Sequence, residues 1–268
     1  MSNETTPTDA NFSLSHSNGI HIPHLSASTI NSFINDRFGF WQSKVAREPF
    51  KGSVHTARGK AVEHGVNTWI EKPGCTDLLA EAHKVFDEEI KLAGISKFDA
   101  EDIRESVKGL LDEALKFYQP EFTERKAVTQ RKISVRLDGV KREIIGYLDY
   151  FQPSVAVRDS KVVSRTPSSL SQPYILQGAL YRYAEKLPVV FDFFVDNKKP
   201  VHKPITLSDD EYLFGLSYLT RAAQVIEELE ECDNPKRVME LMSFPNLDNL
   251  WTHSDRVAAC KTWGILMK

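Results

Sequence analysis

Gly146-Tyr-Leu-Asp-Tyr-Phe-Gln-Pro-Ser-Val-Ala-Val-Arg-Asp-Ser-Lys161 is the stretch on which the reading of this chain turns. It reads as two β-strands joined by a turn at Gln152-Pro153-Ser154. The first strand is apolar and aromatic but carries Asp149; the second, Val155 to Val163, carries Asp159 and Lys161. Side chains alternate along a strand, so Asp159 and Lys161 point the same way, and Asp149 on the neighbouring strand meets them if the register allows. Two carboxylates and an ammonium on an otherwise apolar hairpin are costly unless they bind something. Oxygen ligands at this density suit Mg²⁺ or Mn²⁺. A solvated edge or a surface ion pair would use the same residues, and the hairpin alone does not separate the two readings.

Immediately upstream, the region from Arg125 to Arg142 also holds Lys126, Arg131, Lys132, Arg136 and Lys141, against Glu124 and Asp138. It reads as a strand pair turning at Asp138-Gly139. A basic hairpin beside an acidic metal site suits a polyanion; an ordinary charged solvent face is equally open. Arg131, Lys132 and Arg136, with Arg165 in the polar loop Ser164-Arg-Thr-Pro-Ser-Ser, are the candidate nucleic-acid contacts.

Further towards the N-terminus, Arg58 to Glu71 reads as a helix ended by Pro73-Gly74. Gly59, Val62, Val66, Trp69 and Ile70 share a face that includes Glu63, whereas His64 falls opposite with Lys60, Asn67, Thr68 and Glu71. A carboxylate facing the core wants a partner, so Glu63 is the candidate ligand; a small error of helix phase would put His64 there instead. Thr76–Ala93 and Ala100–Tyr118, the latter stopped by Pro120, read as a helical insertion without chemistry of its own. Ser26 or Ser28 can cap a short helix carrying Ile30, Phe33 and Ile34, and Phe38, Phe40 and Trp41 read as packing residues. Everything before about residue 24 lacks periodicity and reads as a disordered arm.

Downstream, a helix runs from about Ser168 to Lys186, with Gln177 and Tyr181 on one face. Val189–Val195 is a strongly apolar strand, and Val201–Leu207 is its possible partner. Ser208 caps a long helix to Glu231, and the remainder, through Trp251 and Trp263, reads as short helical pieces. With no repeat and no Gly/Ser linker, residues 25–268 read as a single domain, its insertion at about 74–120 and a C-terminal helical extension at about 208–268.

Composition sets the outer bounds. The chain has 268 residues, 41% hydrophobic and 26% charged, which is ordinary for a globular protein. No apolar run reaches bilayer length and no signal peptide is visible. Cys75, Cys232 and Cys260 match neither a metal-binding spacing nor a disulfide framework, so a reducing, cytoplasmic compartment is expected. A net charge of −3 means that any basic surface for a polyanion must be local.

The order of elements, a helix with Glu63, three strands, a helix with Gln177 and Tyr181, then a strand, resembles the αβββαβ core of the PD-(D/E)XK nuclease superfamily. The motifs are similar to those of its RecB-type branch, which includes viral recombination exonucleases and CRISPR adaptation nucleases. Gly59-Lys-Ala-Val-Glu63 resembles the Gly-x-x-x-(His or Glu) motif, and Gly146-Tyr-Leu-Asp149 the Gly-hydrophobic-hydrophobic-Asp motif. Asp159-Ser-Lys161 resembles (Asp/Glu)-x-Lys, and Gln177-Gly-Ala-Leu-Tyr181 the Gln-x-x-x-Tyr motif special to this branch. Leu25-Ser-Ala-Ser-Thr-Ile-Asn-Ser-Phe is similar to the family's N-terminal Leu-Ser-x-Ser segment. The resemblance covers roughly Leu25 to Val195, each motif weak alone and the ordered set specific.

That resemblance implies a mixed α/β fold of restriction-endonuclease type and Mg²⁺- or Mn²⁺-dependent hydrolysis of DNA, most closely by an exonuclease. It further implies service in recombination, repair or replication, with a possible protein partner from those processes. Glu63, Asp149, Asp159 and the carbonyl of Ser160 would hold the metal. Lys161 would orient or deprotonate water and stabilise the transition state. Gln177 and Tyr181 would hold Lys161, a carboxylate or a phosphate. Several relatives bind an iron–sulfur cluster through four cysteines; this chain lacks such a set, and no cluster is expected. The first motif offers Glu where many members have His, so the choice between Glu63 and His64 stays open. Two rivals remain. A DNA-binding scaffold that keeps the fold without hydrolysis would not need all the charged motif positions intact. A metabolic enzyme with an acidic metal site would want a phosphate-cradling glycine loop, which is absent.

Overall fold

The computed structural model describes residue 20, residues 22–45, residue 47 and residues 52–243. The expected disordered arm lies almost wholly outside them, as do Trp251 and Trp263. In chain order the elements are β1 (Leu25–Ser26), α1 (Ala27–Asn35), α2 (Arg37–Lys44), α3 (Val54–Glu71), α4 (Leu78–Leu92), α5 (Lys97–Glu124) and β2 (Val128–Val135). They continue with β3 (Ile144–Gln152), β4 (Ala156–Val163), α6 (Gln172–Glu185), β5 (Val189–Val195), β6 (Val201–Thr206), α7 (Asp209–Glu231) and α8 (Pro235–Met242). The fold is a mixed α/β one, with the expected αβββαβ order running from α3 to β5.

Strand β3 is the centre of a single mixed sheet. Antiparallel β2 pairs with it from Val135↔Ile144 to Val128↔Phe151 and so occupies one edge over nearly its whole length. On the other edge, parallel β1 pairs only at Ile144 and Ile145, and antiparallel β4 only at Tyr150 to Gln152. Gly146 to Asp149 therefore face a gap between β1 and β4. Strand β4 continues parallel to β5 from Val157↔Val189 to Val163↔Val195, with α6 as the crossover, and β6 closes the sheet antiparallel to β5.

Two apolar cores lie on the two faces. Ile144, Leu148, Phe191 and Phe193 pack with Leu176 and Leu180 of α6 and Leu219 of α7. Tyr150 and Phe194 pack with Val62 and Val66 of α3, Phe86 of α4, and Leu110 and Tyr118 of α5. Leu148 and Tyr150 would share a face in a regular strand; here they serve opposite cores, so the alternation resets beside Asp149.

Several expectations need correction. Helix α5 does not stop at Pro120 but runs through it to Glu124, because Phe122 and Tyr118 are buried against Tyr150 and outweigh the local penalty of an interior proline. The helices α4 and α5, read from the sequence as an insertion, build one of the cores. The basic region contains one strand, not two. Gly139, with φ of +73°, does mark a turn, but the partner of β2 is β3 itself. On α3 the buried positions are Ala57, Arg58, Ala61, Val62, Gly65, Val66 and Thr68, so Thr68 lies inside rather than beside His64 in solvent. Among the described residues no helix is long and apolar enough to cross a membrane.

Candidate active site

At the gap, backbone groups that have lost their neighbouring strand are satisfied by side chains. The Tyr181 hydroxyl donates to the carbonyl of Tyr147 at 2.6 Å, and the Gln177 amide donates to that hydroxyl at 2.7 Å. The Ser160 N–H donates to Asp149 Oδ2 at 2.9 Å. Gly146 sits at the gap for a steric reason: a Cβ there would come within 3.1 Å of both Ile133 and Tyr181. Gln177 and Tyr181 thus meet across one helical turn of α6, and their first contact is the strand that carries Asp149.

Asp159 and Lys161 share a face of β4 and form an ion pair through Asp159 Oδ2. Asp159 is fully buried, and its Oδ1 meets no hydrogen-bond donor among the described residues. The Ser160 side chain turns to the other face, towards Tyr118, and leaves its backbone beside Asp149. Glu63 reaches the same cluster from α3 and accepts a hydrogen bond from the Gln130 amide. Gln130 falls opposite Asp149 in the β2–β3 register and has a left-handed backbone, φ +48°, unusual for a non-glycine residue in a strand. His64 lies elsewhere: its Nε2 is 3.8 Å from Glu81 of α4, and its side chain is 39% exposed.

The electrostatics follow from burial and crowding. Burial, then the neighbouring Asp159 and Glu63, push the Asp149 carboxyl well above the ordinary carboxylate range, against the pull of Lys161 and the Ser160 N–H. Burial also raises Asp159, with Lys161 opposing. Glu63 is raised by burial and by Asp159, with Lys161 opposing. Burial disfavours the charge on Lys161, but Asp159 and Asp149 outweigh it and hold the ammonium protonated above the usual lysine range. Each of these groups is perturbed by at least one of the others, and Asp149 by all three, which places the four in one cluster. A cleft of about 450 Å³ opens onto it, lined by Ser26, Asn31, Tyr147, Asp149, Lys161 and Tyr174 among others.

The available donors are hard oxygens: Asp149 Oδ1, the donor-free Asp159 Oδ1, Glu63 and nearby backbone carbonyls. They suit a magnesium-type cation in chemistry. They do not form a closed cage, since among the described residues no three His, Cys, Asp or Glu side chains are grouped closely enough to hold an ion.

The basic residues are dispersed. Arg131 lies over the Phe151 ring at 4.0 Å and 3.2 Å from Glu185. Lys141 and Arg142 are tied to Glu231 and Glu230 of α7. Lys132, Arg136 and Arg165 are exposed. The basic hairpin of the sequence is thus neutralised in part, at Arg131, Lys141 and Arg142, by acids far away in the chain, and Arg131 and Lys132 do not form one patch.

Gln130 has no periodic signature and was not foreseen. Nor was the network around Asp192, although one acid within Val189-Val-Phe-Asp-Phe-Phe-Val was a readable signal of a buried charge. Asp192, fully buried, accepts from Arg158 Nε and Nη2 at 2.8 Å each and from the Tyr118 hydroxyl at 3.1 Å, and lies 2.8 Å from His202 Nε2. It pairs in register with Ser160, so this network backs the strand that carries Asp159 and Lys161.

No family model matches the chain, and no curated protein does. A solved structure described as a "putative exonuclease" from Eubacterium rectale matches at 16% identity, over 95% of this chain and 99% of that one, with a TM-score of 0.55. The two share a fold. The structure of SSO0001 matches at 12% identity over 77% of this chain and 85% of that one, with a TM-score of 0.34.

Proposed function

We propose that this protein is a divalent-metal-dependent nuclease that hydrolyses phosphodiester bonds of DNA, an exonuclease of the RecB-like PD-(D/E)XK type acting in recombination, repair or replication. The observation that carries the reading is the meeting of the buried Asp159 with the half-buried Asp149, Lys161 and Glu63 beside a gap in the sheet, with one oxygen of Asp159 lacking any donor among the described residues. The fold held in common with the Eubacterium rectale protein supports it.

Asp149, Asp159 and Glu63, with the Ser160 carbonyl, would hold Mg²⁺ or Mn²⁺ in part through the waters that such an ion keeps, since the three carboxylates are not grouped closely enough to ligate it together. When bound, the ion lowers the pKa of a water and neutralises charge growing on the phosphate. The Lys161 ammonium, held protonated by its acidic neighbours, faces that charge and stabilises the pentavalent transition state rather than removing a proton. Tyr181, itself held by the Gln177 amide, holds the Tyr147 carbonyl and so keeps the gap open at a fixed width.

The test is incubation of end-labelled linear DNA and covalently closed circular DNA with Mg²⁺ or with EDTA. Linear DNA should shorten from its ends only with Mg²⁺, and the closed circle should persist. Rapid cutting of the circle would make the protein an endonuclease, and no cutting of either would remove the nuclease reading.

A further inference from the structure

The Tyr147 carbonyl has a partner at the gap, but its ring does not share that role. Tyr147 is 52% exposed on a strand whose other residues are mostly buried. Ile144 and Leu148 pack on the α6 side, so alternation places the Tyr147 side chain on the α3 side, the face from which Glu63 approaches. Lys132 is the residue directly opposite in the antiparallel β2–β3 register. Directly paired residues project to the same face with their Cβ atoms about 4.5–5.5 Å apart. Lys132 is exposed and, among the described residues, takes part in none of the ion pairs. An aromatic face and an unneutralised ammonium therefore stand side by side, two residues along the strand from Asp149. The strand under them is pinned: Tyr181 holds the Tyr147 carbonyl, and Gly146 packs against Ile133 and Tyr181 from behind.

We infer that Tyr147 and Lys132 form a subsite for one unpaired nucleotide of the strand being cut, the ring stacking on the base and the ammonium meeting a phosphate. In a duplex both faces of a base are covered by its neighbours, whereas an unpaired base offers a π-face to any aromatic side chain. The subsite therefore selects a single-stranded DNA end. This rests on the nuclease reading for its choice of nucleic acid.

The test is equilibrium binding in EDTA of a single-stranded DNA oligonucleotide with a terminal 2-aminopurine, whose fluorescence is quenched on stacking, alongside the matching duplex and the matching RNA. The wild-type protein and Tyr147→Phe should both quench the probe. Tyr147→Ala should lose the quench and bind the single strand about 10-fold more weakly, the scale of one lost base stack, while its duplex affinity hardly changes. Lys132→Ala should keep the quench but reduce the salt slope by about one unit. The inference is overturned if Tyr147→Ala still quenches, if its single-strand and duplex affinities fall in equal proportion, if the wild type does not bind the probe, or if RNA binds more tightly than DNA. Cleavage with Mg²⁺ is scored on the same samples. Quenching without cleavage removes the nuclease reading and keeps the subsite; cleavage without quenching does the reverse.

Discussion

Asp159 is fully buried, ion-paired to Lys161 at one oxygen and, among the described residues, without a donor at the other. Nothing about the apolar core requires a carboxylate there. Asp159→Ala should therefore lower cleavage by at least about 10²-fold, the scale of losing one electrostatic contact in a transition state, and still fold, as judged by circular dichroism. Cutting at the wild-type rate by a contaminant-free preparation would remove Asp159 from the chemistry. Glu63 and His64 are adjacent in sequence but face different neighbours, Gln130 and the acidic cluster for one, Glu81 for the other. Glu63→Gln keeps size and hydrogen bonding but removes charge, so the Mg²⁺ concentration for half-maximal rate should rise about 10-fold or more. His64→Ala should stay within about twofold, as an exposed substitution does. The reverse pattern in a titration of rate against Mg²⁺ would make His64 the ligand.

Among the elements, α5 and β5 carry the informative strains. Pro120 is exposed and interior to α5, where its ring crowds the preceding turn and it supplies no N–H. Pro120→Ala should raise the urea midpoint, by about 1–3 kcal/mol in unfolding free energy; an unchanged or lower midpoint would mean that the proline itself helps to seat Phe122 against Tyr150. Asp192 of β5 binds Arg158, whose side chain is only 12% exposed. Asp192→Ala would leave that guanidinium buried without its carboxylate and should cost about 3–5 kcal/mol, read by denaturant unfolding. A cost below about 1 kcal/mol would show that the network is not a support of the sheet.

For the whole molecule, the acidic cluster sets a pH dependence whose sign is fixed by the raised pKa values of Asp149, Asp159 and Glu63. The folded protein holds these protons more tightly than the unfolded chain. Their contribution to stability is therefore present below the ordinary carboxylate pKa and is lost as pH rises through the raised values. A cation competes with the same protons and favours the folded state alone. The melting temperature with Mg²⁺ minus that with EDTA should thus grow as pH rises from about 4 towards 8. A difference that stays flat over this interval would mean that the cluster does not bind the ion.

Local periodicity determined much of this protein. The β4 placement of Asp159 and Lys161 on one face, the strand Val189–Val195, the Ser208-capped helix to Glu231 and the meeting of Gln177 with Tyr181 all follow from repeats of two or three to four residues and from caps that act within one turn. Such features depend on neighbours in the chain, which the sequence displays. The tertiary structure alone decided that β1 and β4 share an edge of β3 and leave Gly146–Asp149 facing a gap, for two residues of β1 carry no strand signal. It alone brought Glu185 from α6 to Arg131 and, among the described residues, no acid to Lys132. It also sent Lys141 and Arg142 to acids of α7 and bent the backbone of Gln130 towards Glu63. These outcomes turn on partners tens of residues away. Their energies come from burial and charge pairing across the fold, and no local pattern in the chain encodes which acid will meet which base.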